Sequence, residues 1–537
     1  MKKKKVFTGK KPGGIFGSFL AGCLLTAYIC ASCTGDFDEI NTNRDSPTSA
    51  TSATLAATLL GNIMRYTISD NHSVTRYFME DYFLVKMAVY STEISGVQYN
   101  KFDSNYFMDN FAVMGDYVSM GFGSLRNAEK MVALSSDNTY DTYKGFALFI
   151  KAYQLYYITC FYGDIPYSEA IQGETLTLTP KYDTQRDVMA QILDDLDLAY
   201  EHFSRATAPL AGDFVFGGNL ENWKKVVSAF ELNVLITLSK KESEAGLRVK
   251  ERFAEIVSSR PLFTSNADNL ALTFADEGGM YYAMNEIRGR HYLNMWLSDF
   301  FISMLKRYDD YRLFSFAKPA QPLIDEGTPA DSYDAYIGIA HTLPFSEIQI
   351  LSNQSRGCNI NDRYINVRSG EPLARLGYAQ MNFVLAEGAL RGWIPGTAAD
   401  YYRRGIEASM TFTMQYTPNQ YANGRPITPD YIQAYLAKPS VQLNGSFEAD
   451  LEKIIEQKYI ASFIQYQRDT YLDYRRTGYP AFAIDPSTSL NIMPDRMQVR
   501  IKYPAGELSY NQANLTEAVQ RQFNGVDDEN QLMWLLK

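Results

Sequence analysis

The sequence predicts a mainly α-helical fold, in which pairs of helices support an irregular part with few short strands. Amphipathic segments with helical spacing dominate the chain, and several follow one another with short breaks, as helical hairpins do. Between about residues 260 and 372, Gly, Pro, Asn and Ser become more frequent, and residues 269–274 and 335–340 read as short strands or loops. No linker long enough to separate two domains is visible, so we expect one domain over residues 51–537.

Residues 182–203 show the helical signals most clearly. Asp183 or Thr184 is suited to cap the helix N-terminus, and Asp187 lies in the first turn. Apolar residues then recur at helical spacing, namely Val188, Ile192, Leu196 and Ala199. Comparable patterns predict helices over residues 55–68, 75–90, 116–134, 141–162, 220–240, 378–393, 397–412 and 449–465.

The composition of the 537-residue chain limits its possible functions. Lys and Arg number 51 against 61 Asp and Glu, and the formal net charge of -10 argues against a nucleic-acid partner. Four His and five Cys offer few ligands for a metal site. Aromatic residues make up 14% of the chain, and the 39 Tyr suit either polar, ring-shaped ligands or a Tyr-rich core.

The first 32 residues have the pattern of a signal peptide. Six Lys and no acidic residue precede an apolar run over residues 15–32. Cys33 follows this run at its polar boundary, and we expect lipidation there, although Leu20-Ala21-Gly22-Cys23 also resembles a lipoprotein cleavage box. Residues 33–50 are polar and poor in helix formers, which is typical of a tether between a lipid anchor and a folded domain.

Sequence signatures of enzymes are mostly absent. The chain has no GxSxG elbow, phosphate-binding P-loop or HExxH motif. Asp194, Asp195 and Asp197 cluster on the predicted helix, where a solvated face is a simpler explanation than a glycosidase pair. We therefore expect a protein that is not an enzyme and that needs no cofactor or metal.

A dense cluster of aromatic and polar residues lies in the irregular part. Sugar rings stack on aromatic side chains through their C–H faces, while their hydroxyls need polar hydrogen-bond partners. The cluster consists of Tyr281, Tyr282, Asn285, Arg288, Arg290, His291, Tyr292 and Trp296. A weaker mixture of the same kind consists of Tyr90, Glu93, Gln98, Tyr99, Asn100 and Tyr106. The alternative explanation is that these aromatic residues pack on the helical core.

Seven of these residues form the predicted ligand site. Stacking is assigned to Tyr281, Tyr282 and Trp296. Hydrogen bonds to sugar hydroxyls are assigned to Asn285, Arg288 and Arg290, and Tyr99 is assigned to a second wall. Helical spacing would place residues 281, 282, 285 and 288 on one face, whereas Trp296 could belong to the following helix and to the core.

Several segments resemble the SusD/RagB family of surface glycan-binding lipoproteins. Departures from the family pattern concern helix packing and a turn, at Asn233, Thr237 and Tyr311. The matching segments follow one another in family order: residues 33–41, 162–170, 180–185, 213–226, 382–392, 401–410, 454–463, 474–480 and 500–507. We expect structural roles for most of these motifs: Tyr167 and Glu169 would lock a loop to its neighbour, and Arg475 and Arg476 would pair with buried acids.

The resemblance implies a fold with four tetratricopeptide-like helix pairs supporting an irregular, ligand-binding half. It also implies a lid on a SusC-like TonB-dependent transporter, to which the protein delivers oligosaccharides. Asp36, Asp38 and Glu39 after Cys33 resemble the export signal of surface lipoproteins, which would place the protein on the outer membrane, facing the cell exterior. Peptide capture on the same scaffold, and a lid with little ligand binding of its own, remain alternatives.

Overall fold

Helices form most of the protein, as the sequence predicts. The computed structural model describes residues 50–64, 81–102, 115–170, 179–278, 280–282, 284–285 and 294–537. The chain from Ser52 to Lys537 forms one compact unit. Among the helices of these described ranges, none combines the length and the hydropathy needed to cross a bilayer.

Eighteen α-helices have bounds within the described ranges. In chain order, α1 to α9 are Ser52–Met64, Gly115–Ala133, Tyr140–Tyr162, Gln185–Arg205, Leu220–Thr237, Val249–Ser259, Asp299–Arg307, Arg312–Phe316 and Gln321–Asp325. Helices α10 to α18 are Phe345–Asn353, Arg363–Asn366, Tyr378–Leu390, Ala398–Tyr416, Pro429–Leu436, Phe447–Ala461, Gln467–Thr477, Ala505–Tyr510 and Gln512–Phe523.

The longer helices pack as a chain of neighbours, which we call the helical half (α1–α6 and α12–α16). Helices α1 to α6 form a series in which each of the first five packs on the following one. Helix α12 packs on α5, α13 and α15, and helix α16 packs on α15. Trp223 of α5 is fully buried where α5 contacts α3, and its ring lies edge-on to the rings of Phe146 and Phe149 of α3. Burial of these aromatic rings is a large part of what holds the helix pairs together.

Helix α4 confirms the helix predicted from residue 182 onwards. The Thr184 hydroxyl oxygen accepts a hydrogen bond from the backbone N–H of Asp187 (3.2 Å), so Thr184 is the N-cap. The four apolar residues predicted to share one face are all fully buried: Val188, Ile192, Leu196 and Ala199.

Within the described ranges, four short strands form two antiparallel two-stranded sheets. Strand β1 (Ala88–Tyr90) pairs with β3 (Met295–Leu297), and β2 (Leu270–Leu272) pairs with β4 (Leu373–Leu376). The helix predicted over residues 75–90 is therefore wrong at its end. Lys86 adopts a left-handed conformation (φ 55°), which ends the helical path, and residues 88–90 pair with a strand distant in sequence.

The structural roles predicted for the family motifs are largely confirmed. The Tyr167 hydroxyl donates to Asp195 (2.5 Å), and a Glu169 carboxylate oxygen accepts from the backbone N–H of Lys181 (3.0 Å). Arg475 is different from the prediction, because its guanidinium donates to the backbone carbonyl oxygens of Val499 and Cys160 rather than to an acid.

Arg476 pairs with buried acids, as predicted. Its guanidinium donates to both carboxylate oxygens of Glu387 on α12 and to Asp473 on its own helix α16 (2.9 Å). Burial would raise the pKa of Glu387, but the guanidinium groups of Arg476 and, to a smaller extent, Arg391 outweigh it, and the pKa is lowered. The pair therefore stays ionised and joins α12 to α16 within the core.

We expect Arg476→Ala to lower the free energy of unfolding by about 3–5 kcal/mol, because it leaves Glu387 buried without its main partner. Urea unfolding followed by circular dichroism measures the change. The matched control is Arg496→Ala, which breaks an exposed pair with Asp495 and should leave stability unchanged. Equal effects of the two substitutions would contradict a role for the buried pair.

Candidate functional site

Two residues predicted to contact ligand belong to the core instead. Tyr282 is 0% exposed, and its ring lies edge-on to Phe274 and stacked on Tyr364. Asn285 is 1% exposed, and its side-chain N–H donates to the backbone carbonyl of Ile365 (2.7 Å). Tyr282 has no ring face open to solvent and cannot stack on a sugar, so its predicted stacking role is wrong. The predicted hydrogen bond from Asn285 to a sugar hydroxyl is wrong as well, because its side chain is buried and bonded to the backbone.

A glycine explains how closely the chain wraps Tyr282. Gly370 has a positive φ (48°), and a Cβ added there would lie 2.1 Å from Cγ of the Tyr282 ring. The backbone N–H of Tyr282 donates to the carbonyl of Arg368 in the same loop (2.7 Å). Burial raises the pKa of Tyr282 well above its ordinary value, so the phenol stays neutral.

Tyr281 faces a different environment from its neighbour. It is partly exposed, Met280 beside it is 57% exposed, and the guanidinium of Arg368 lies 5.7 Å from the Tyr281 ring centroid. Arg368 also forms an ion pair with the exposed Asp276 (3.3 Å). An aromatic face therefore lies next to a hydrogen-bond donor and an acceptor, which is the chemistry that a sugar ring requires.

Trp296 lies in the middle of β3 and not in the following helix. Its flanking residues Met295 and Leu297 are fully buried, whereas Trp296 points to the other side of the strand and is partly exposed. The indole N–H donates to the hydroxyl of Ser91 (3.3 Å). Gly357 lies beside the indole and packs tightly on Ile339, since a Cβ there would lie 2.7 Å from Cγ1 of Ile339 and 3.3 Å from Cε3 of Trp296.

Tyr99 and Trp296 meet in one small apolar cluster, although they are far apart in sequence. The cluster's buried members are Val89, Tyr99, Ile339 and Ile348, and Trp296 packs against them. Tyr99 itself is 4% exposed, its hydroxyl donates to the carbonyl of Leu343 (3.0 Å), and burial raises its pKa to about 12. Tyr99 is therefore a buried member of the cluster on which Trp296 packs, and it does not form an exposed wall.

A buried lysine beneath this cluster was not identified from the sequence. Lys86 is 0% exposed, and its ammonium donates to the carbonyls of Val97 (2.9 Å) and Gln98 (2.7 Å). It thereby fixes the short 3-10 turn that carries Tyr99. Burial lowers the pKa of Lys86 to about 7. Lys86 lies within an apolar pattern that predicts a helix, and this pattern does not indicate that its ammonium holds the turn at residues 97–99.

Three predicted residues lie outside the described part of the chain. Arg288 and Arg290 fall in the segment between residues 285 and 294, and Cys33 precedes residue 50. Within the residues that the structure describes, no three His, Cys, Asp or Glu side chains are grouped so that they could hold a metal ion.

Two partly exposed aromatic residues therefore remain as candidate ligand contacts, each with its own polar neighbours. Tyr281 is next to Arg368 and Asp276, and Trp296 is next to Ser91. Both project from the irregular part, and both are supported by fully buried residues.

Solved structures of similar proteins share this fold. A SusD homolog from Bacteroides fragilis is 44% identical, with 91% of this chain and 100% of that chain covered and a TM-score of 0.85. A second SusD homolog from Bacteroides fragilis is 30% identical, with the same coverage and a TM-score of 0.77. A chitin-binding SusD homolog from Flavobacterium johnsoniae is 20% identical over 90% of this chain and 98% of its own, with a TM-score of 0.69, and shows the fold alone.

Family comparison gives the broader assignment. No curated protein matches the chain in sequence. The profile of the SusD-like family described as starch-binding and associating with the outer membrane matches residues 47–504. Because this match covers most of the sequence and two SusD homologs share at least 30% identity over 91% of it, the chain belongs to the SusD-like family.

Proposed function

We propose that the protein is a cell-surface, glycan-binding lipoprotein that captures oligosaccharides and delivers them to a SusC-like TonB-dependent transporter. The observation that carries this proposal is the match of residues 47–504 to a family described as starch-binding and associating with the outer membrane. The role is binding and transfer rather than catalysis. The chitin-binding activity of the Flavobacterium johnsoniae homolog is consistent with a glycan ligand.

The aromatic residues of the candidate site would provide the stacking surfaces. Tyr281 and Trp296 are partly exposed, and each has a hydrogen-bonding neighbour within the described residues. Arg368 and Asp276 would contact sugar hydroxyls beside Tyr281. Arg288 and Arg290 remain proposed partners of sugar hydroxyls.

We expect Trp296→Ala and Tyr281→Ala each to weaken glycan binding by about 5- to 10-fold, because each removes roughly 1 kcal/mol of stacking. Isothermal titration calorimetry with the glycan selected from a polysaccharide and peptide panel measures the change. Melting temperatures of the variants must match that of the unmodified protein, so that the loss reports on contacts with ligand.

Tyr510→Ala is the matched control for the loss of an exposed aromatic ring. Tyr510 is 82% exposed and ends α17, which is held beside residues 179–182. Unchanged affinity in both test variants would place the ligand elsewhere. Selection of peptides only would favour peptide capture, and selection of no ligand would favour a lid with little binding of its own.

Lipid attachment at Cys33 is the second part of the proposal. We expect Cys33→Ala to move the protein from the membrane fraction to the soluble fraction, because acyl chains on this residue would provide the membrane attachment. Metabolic labelling with a fatty-acid analogue followed by fractionation measures this. Cys23→Ala is the control and should keep its label; the opposite pattern would assign lipidation to Cys23.

The transporter is the third part of the proposal. A lid that persists on a barrel needs an interface well above roughly 1,000 Å², so we expect a large outer-membrane barrel to co-purify in mild detergent. Affinity purification from the native host, followed by mass spectrometry, measures this. Isolation of the protein alone, under conditions that preserve other such complexes, would contradict the partnership.

A further inference from the structure

We propose that a groove on the helical half is a second saccharide-binding site, which takes one or two neutral sugar rings. The groove has a volume of about 380 Å³ and lies between helix α13 and the turn at residues 265–267. That volume falls within the range of roughly 300–1,000 Å³ that is usual for ligand sites. It shares no lining residue with the surroundings of Tyr281 or Trp296. The proposal therefore goes beyond the proposed function.

One face of α13 forms the first wall of the groove. Arg404, Glu407, Thr411 and Gln415 recur at intervals of three or four residues, so their side chains share one side of the helix. Arg404 and Glu407 are both exposed. The guanidinium of Arg404 lies 4.8 Å from the ring centroid of Tyr401, which limits its freedom.

The opposite wall is fixed to the helices by side-chain hydrogen bonds. The amide of Asn266 donates to the carbonyl of Ala408 on α13 (2.9 Å). The side-chain oxygen of Asn269 accepts from the backbone N–H of Tyr378, the first residue of α12 (2.7 Å). Because both bonds exist without ligand, the groove is already in place and binding needs little reordering.

The chemistry of the lining favours a neutral polyol. A guanidinium only donates hydrogen bonds and a carboxylate only accepts them, whereas each sugar hydroxyl does both, so Arg404 and Glu407 together suit a pair of neighbouring hydroxyls. The partly exposed ring of Tyr378 offers an apolar surface for the C–H face of a sugar. The opposite charges of Arg404 and Glu407 give the groove no preference for anions or cations.

A peptide is a poorer fit for the same lining. An extended peptide needs partners for its backbone groups, and the backbone of α13 along this wall is already bonded within the helix. The amide of Asn266 is bonded to Ala408 as well. The remaining groups are side-chain tips, which can reach the hydroxyls of a small ring.

The test uses the full mature chain carrying Trp296→Ala, so that stacking at the other candidate site is weakened. Maltotriose, cellotriose and chitotriose are the probes, and trialanine is the peptide comparison. We expect one trisaccharide, at millimolar concentration, to slow hydrogen–deuterium exchange in residues 404–415. Adding Arg404→Ala/Glu407→Ala should abolish that protection and weaken the calorimetric affinity by about tenfold or more.

Arg403→Ala is the matched control, because Arg403 is exposed on the same helix but does not line the groove. It should leave both readouts unchanged. Absence of protection by all three trisaccharides, equal binding by the double variant, or protection by trialanine alone would overturn the proposal. The role of Trp296 in glycan binding is tested separately, by comparing the glycan affinities of the unmodified protein and of Trp296→Ala. Equal affinities would contradict that role but would not affect the test of the groove.

Discussion

Buried guanidinium groups are the constraint on which the rest of the structure depends, because they join the irregular part to the helices. Arg312 is 0% exposed and donates to Ser409 of α13 (3.0 Å) and to Gln457 of α15 (2.7 Å). Arg363 is 3% exposed, pairs with Glu371 (2.8 Å) and donates to the carbonyl of Tyr416 at the end of α13 (3.1 Å). A buried charge without its partner costs several kcal/mol. The segments that carry Arg312 and Arg363 can therefore be buried only in the arrangement that gives each guanidinium its partners. The irregular part is thereby held in one arrangement without long strands.

The helical half could be predicted because its signals are local. In α4, the cap Thr184 and the apolar spacing lie within one segment, and both are confirmed. The helix predicted for residues 88–90 was wrong because these residues form a strand by pairing with residues 295–297. Pairing with a segment so distant in sequence cannot be recognised from the local pattern. The prediction that Arg475 pairs with a buried acid was wrong for a related reason. Its partners are backbone carbonyls of segments that are distant in sequence.

The candidate site was predictable in its residue types but not in its geometry. The aromatic-rich segment does carry Tyr281 and Trp296 in partly exposed positions, yet the expected helical spacing is absent there: residues 280–282 form no helix and residues 295–297 form a strand. Tyr281 and Tyr282, which the helical spacing placed on one face, therefore differ in exposure, since Tyr282 is buried and Tyr281 is partly exposed. Tyr99 was predicted as a second wall of the site, but it is buried in the cluster on which Trp296 packs, and the Lys86 ammonium that fixes its turn is recognisable only in the folded structure.

A binding ring must be held firmly and yet remain uncovered, and a two-stranded sheet satisfies both needs. Alternate residues of β3 enter the core, so Met295 and Leu297 fix the strand while Trp296 faces the other side. Trp296 packs on the small cluster that contains Tyr99, and the Lys86 ammonium fixes the turn that carries Tyr99. A helix packed on both sides would have buried such a ring. The irregular part can therefore hold a partly exposed ring without regular layers, because buried polar groups such as the Lys86 ammonium fix the segments around it.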